Sequence, residues 1–171
     1  MTDSGELLAK AEALAGKKRF TEAAAILERA LQVDPKDARV RLKLADLLVR
    51  AGDAVTACTQ IIEAARVYRS EGFHLKALAT LRQAVALDAS RLAVRVDIAE
   101  VCAALGLIED ALREIDEIAR ALDVGAPVPT GYRDTPPSAA IDAARTRLIA
   151  GDAAGAMEVL RRLSFPDARH A

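Results

Sequence analysis

Tryptophan is absent from the 171 residues and aromatic residues make up only 3%, although hydrophobic residues make up 52%. A core built almost without rings is filled by Ala, Leu, Val and Ile, which suits closely packed helices better than a sheet. Cysteine is scarce: Cys58 and Cys102 both sit inside apolar helical patterns, and they read as small core residues in a reducing compartment, not a disulfide framework. No charge sign dominates, since 24 Lys/Arg stand against 25 Asp/Glu, and neither half is basic. That balance argues against a surface that tracks nucleic-acid phosphates. No window approaches the roughly 18 apolar residues of a spanning helix, and the start MTDSGELLAKAE has no basic end followed by an apolar run. A cytoplasmic protein without membrane insertion is expected.

Groups that carry chemistry are equally sparse. His74 and His170 are the only histidines, and neither has a second ligand at metal spacing. No phosphate-cradling Gly-rich motif occurs, and no Ser, Thr or Cys has a His placed by sequence to activate it. Carboxylates alternate with Lys and Arg along helix faces, the pattern of solvated surface. We therefore expect a non-enzyme with no cofactor, no metal and no catalytic residue.

What the chain does have is a recurring alanine-rich segment. FTEAAAILERALQVDP from Phe20 returns in looser form from Ala54, His74, Ile108 and Ala153, with a small residue at Ala23, Ala57, Ala77, Ala111 and Ala156. Successive spacings are 34, 20, 34 and 45 residues. Alanine at such places lets two helix backbones approach closely. Gly52, Gly72, Gly106 and Gly151 precede four of these segments, where a left-handed residue ends the preceding helix at low cost. Lys18 holds that place in the first copy, so its turn is expected to be less well defined.

The pattern predicts nine helices: Gly5 to Lys17, Thr21 to Val33, Ala38 to Ala51, Ala54 to Ser70, Leu75 to Leu87, Arg91 to Leu105, Ile108 to Leu122, Ser138 to Ala150 and Ala153 to Leu163. Asp37, Asp53, Ser90 and Asp152 lie where capping side chains belong, and all six prolines fall outside these spans. The spacing of 20 is one helix short of a period, so the segment from Val55 to Glu71 is expected to serve twice. The segment GAPVPTGYRDTPP over 125–137 reads as a connection, with Tyr132 and Arg133 as its candidate contact residues.

These residues resemble the tetratricopeptide repeat family, whose unit is a helix-turn-helix of 34 residues. Its A-x-x-x-F places are held by Ala23 and Leu27, Ala57 and Ile61, Ala77 and Leu81, Ala111 and Ile115, Ala156 and Leu160. The resemblance implies an all-α solenoid of antiparallel helical hairpins. Its repeats would run over 4–124, with one shortened at 55–90, followed by a final hairpin at 138–165 and a tail at 166–171.

By repeat position it also implies a concave peptide-binding face. That face would hold Leu8, Glu12 and Ala15; Leu42, Asp46, Val49 and Arg50; Val96, Glu100 and Ala103; Ile141, Arg145 and Leu148. Such a face suits an adaptor for an amphipathic partner segment bearing Lys or Arg. Glu12 and Asp46 stand against the family's clamp for acidic tails. A secretion-type chaperone holding a client and a self-assembling element are the alternatives, the second through a C-terminal helix that leaves Val159 and Phe165 uncovered.

Overall fold

A computed structural model describes residues 4–123 and 136–163. Nine α-helices and no strand occur among the described residues: α1 (Ser4–Gly16), α2 (Phe20–Val33), α3 (Ala38–Ala51), α4 (Ala54–Ser70), α5 (His74–Leu87), α6 (Leu92–Ala104), α7 (Ile108–Asp123), α8 (Pro137–Ile149) and α9 (Ala153–Arg162). Boundaries agree with the sequence expectation to within a residue. Tyr132, Arg133, Phe165 and the 166–171 tail lie outside the described residues.

One turn is used five times among the described residues. Those with positive φ are Lys18 (58°), Gly52 (87°), Gly72 (81°), Gly106 (75°) and Gly151 (84°), each five positions before one of the spaced alanines. At Gly52 the amide donates to Val49 O at 3.0 Å and the next amide, of Asp53, to Leu48 O at 2.9 Å. The pair of bonds satisfies carbonyls that the helix end would leave open, in the Schellman manner. Lys18 closes the first turn in the same way, donating to Ala15 O at 2.9 Å while Arg19 donates to Leu14 O at 3.1 Å. The expectation of a looser turn is therefore corrected: the closure is complete, and the missing glycine is absorbed as backbone strain.

Capping follows chemistry with two corrections. Asp37 accepts from the amides of Arg39 and Val40, Asp53 from Thr56, and Asp152 from Gly155. Hydrogen bonding by Thr56 to the Asp53 carboxylate holds that carboxyl below its usual pKa, since the bond favours the charged form. For α6 the cap position is Arg91, without a side-chain cap bond, and not Ser90. Pro137 is not part of the connection but the first residue of α8, the one place where the missing proline amide costs nothing.

By its contacts the chain divides into two units, 1–88 and 89–171. In the first, each helix packs on the next, α1 on α2 through to α4 on α5. Ala23, Ala57 and Ala77 are 0% exposed, the contact points that the spacing identified. Helix α4 packs on both of its neighbours, as α2 and α3 do. It buries two adjacent stripes, Ala57, Ile61 and Ala64 beside Cys58, Ile62 and Ala65, and packs against both α3 and α5. The Cys58 thiol donates to Ala84 O on α5 at 3.7 Å, so the second stripe faces the following helix.

In the second unit α6 packs on α7, α7 on α8 and α8 on α9, and α9 returns to α6. Ala111, Ile115, Ile118, Ala144 and Leu160 are fully covered. Each large aliphatic side chain so buried contributes about 1.5–3 kcal/mol. Arg95 on α6 pairs with Glu114 on α7 at 2.8 Å, both largely buried.

Candidate peptide-binding cleft

Helix α1 presents Leu8, Ala11, Glu12 and Ala15 at intervals of three and four, so these residues share one face. Leu7 and Ala11 are buried, Leu8 and Ala15 half-buried and Glu12 exposed. Helix α3 brings Lys43 and Leu47, one turn apart, to the opposite wall, and Leu27 of α2 closes the floor at 1% exposure. Together they enclose a cleft of about 120 Å³ whose lining is almost wholly apolar. At its mouth the Lys43 ammonium donates to the Glu12 carboxylate, a pair that bridges α1 and α3 and whose members are both more than half exposed.

Of the residues placed on the concave face by repeat position, Leu8, Glu12 and Ala15 line this cleft. Leu42 is half-buried on another side of α3, and Asp46, Val49 and Arg50 are exposed there. Arg50 Nε meets Asp46 at 3.0 Å and its guanidinium lies 5.9 Å from the Phe20 ring centre. In the second unit Val96, Ile141 and Leu148 are buried and Ala103 is half-buried. Glu100 pairs with Arg161 of α9. Arg145 is held by Asp142 at 2.9 Å and Asp116 at 2.5 Å.

Sequence reasoning missed Lys43 and Leu47 for a geometric reason. Repeat-equivalent positions such as Glu12 and Asp46 point the same way on successive helices, whereas a cleft between two helices needs positions that point towards each other. Lys43 lies 31 residues from Glu12, three short of the period. The acidic row is also neutralised: Glu12, Asp46 and Glu100 each meet a cation of the same chain.

Among the described residues no group of three or more His, Cys, Asp or Glu could hold a metal ion. His74 opens α5, and its Nδ1 is buried without a hydrogen-bond partner among the described residues. No helix of the described residues is long and apolar enough to cross a membrane.

A tetratricopeptide repeat profile matches residues 14–65, from the end of α1 into α4. Over that stretch the chain carries tetratricopeptide repeat sequence, and the fold of the described residues is all-α. No curated protein matches. Similar solved structures include YrrB, a tetratricopeptide protein with an unusual peptide-binding site, at 18% identity over 94% of this chain and 84% of that one, with a TM-score of 0.40. MamA from Desulfovibrio magneticus RS-1 shares 12% identity over 73% of this chain and 78% of that one, with a TM-score of 0.40. TTC0263, a tetratricopeptide protein of Thermus thermophilus, shares 17% over 94% and 90%, with a TM-score of 0.38. Arrays of such repeats are in general protein–protein interaction scaffolds and not enzymes.

Proposed function

We propose that this chain is a cytoplasmic, non-enzymatic adaptor that takes up a peptide segment of a partner protein, seating one aliphatic side chain between α1 and α3. The observation that carries this reading is the apolar cleft of about 120 Å³ with a charged pair at its mouth. Sites for drug-sized molecules enclose roughly 300–1,000 Å³, so this space suits a single side chain better than a free small molecule. The exposed Glu12–Lys43 pair is worth only about 0–1 kcal/mol. A partner's Lys or Arg can therefore replace Lys43 on Glu12, which favours an amphipathic partner with basic residues.

Panning a displayed random-peptide library against the full chain tests this. Enriched peptides should share an aliphatic anchor beside a basic residue and shift amide resonances of α1 and α3. Filling the cleft with Ala15→Phe should abolish their binding while leaving the helical circular dichroism unchanged. Peptides that bind equally well to the filled variant would refute the assignment, and light scattering that shows concentration-dependent growth would favour self-assembly instead.

A further inference from the structure

The outward face of α5 combines exposed cations with exposed apolar side chains. Helix α5 is the only one of the nine described helices without an Asp or Glu, while it carries Lys76 and Arg82. Both cations are exposed, and neither has an ion-pair partner among the described residues. They share their side of the helix with Leu75, 69% exposed, and with the small exposed Ala79; Phe73, 50% exposed, stands at its entrance.

Of the five residues that follow a left-handed turn, Asp53 and Asp152 cap the next helix while Arg19, Phe73 and Leu107 do not, and Phe73 is the one that places a ring there. A cap is given up there for a ring that is half in water. The Lys76 ammonium lies 4.7 Å from the centre of that ring and 5.7 Å from the Tyr68 ring, fixing a cation in the first turn, where the helix dipole disfavours it.

We propose that this face docks an acidic amphipathic helix of a partner protein. Its apolar side chains would cover Phe73 and Leu75, and its carboxylates would meet Lys76 and Arg82. Those cations sit six residues apart, about 9 Å along the axis and about 120° around it, so they flank the strip that holds Leu75 and Ala79, and the partner's carboxylates belong on both edges of its buried face. Ala79 between them leaves room for the partner's backbone. This surface is distinct from the α1–α3 cleft and prefers the opposite charge.

A helical peptide library displayed on phage, panned against the full chain and counter-selected on the Lys76→Glu, Arg82→Glu double variant, reads the proposal directly. Recovered clones should carry Asp or Glu on both sides of an aliphatic stripe, and should weaken as salt rises. They should lose at least about tenfold in affinity on the double variant and bind Ala15→Phe as well as the parent. Phe73→Asp should raise Tm, because it restores a cap, and should abolish binding. Failure to recover clones, clones without acidic residues, or equal binding to the double variant overturns the proposal. So does a fall in Tm on Phe73→Asp, which would make the ring a structural requirement of the turn.

Discussion

Lys18 and Gly106 hold the same left-handed turn with different side chains, at φ 58° and 75°, and so isolate the cost of a Cβ in that conformation. No atom lies within 4 Å of where a Cβ at Gly106 would stand, so crowding plays no part and the whole effect is dihedral. The left-handed region costs a side chain about 1–2 kcal/mol, part of which glycine returns through its freer unfolded chain. Lys18→Gly should therefore stabilise the protein by about 0.5–1 kcal/mol, and Gly106→Ala should destabilise it by about 1 kcal/mol. Urea denaturation of both variants checks the sign and the size. Sequence alone marked Lys18 as the odd member of the series. It pointed to a loosened turn where the residue yields instead, because the outcome depends on how firmly the flanking helices hold the two closing hydrogen bonds.

Among the elements, α4 packs closely on a helix at each side. Ala57 and Cys58 are both 0% exposed and lie on neighbouring stripes, so neither can grow without pressing on a packed helix. Enlarging Ala57 to Leu should cost about 1–3 kcal/mol, the range for overpacking, and a lowered urea midpoint at unchanged m-value is the expected reading. Helix positions were legible because three signals coincide: the alanine, the turn residue five places earlier and the carboxylate at several caps. The walls of the cleft were legible on one side only. Leu8, Glu12 and Ala15 follow from periodicity within α1, but Lys43 and Leu47 depend on how α3 is rotated against α1. The partners of Glu12 and Glu100 lie 31 and 61 residues away, beyond any spacing rule for one helix.

At the scale of the whole molecule, each unit holds one cysteine, Cys58 in 1–88 and Cys102 in 89–171, and both are fully buried. A buried thiol is inert until its surroundings open. In native buffer neither should react with a disulfide reagent, and both should react once denatured. Single Cys→Ala variants labelled across a urea series should report the opening of each unit separately. Rapid labelling of the native chain would contradict the burial. The division at Asp88 was not readable from the repeat pattern, which continues through it, since a boundary of contacts depends on what fails to pack and leaves no periodic trace.

Helix α4 offers one stripe to the helix before it and another to the helix after it, as α2 and α3 also pack on both of their neighbours. Each inner helix of the first unit is thus a shared wall, so swelling it on either stripe is felt at two seams and not at one.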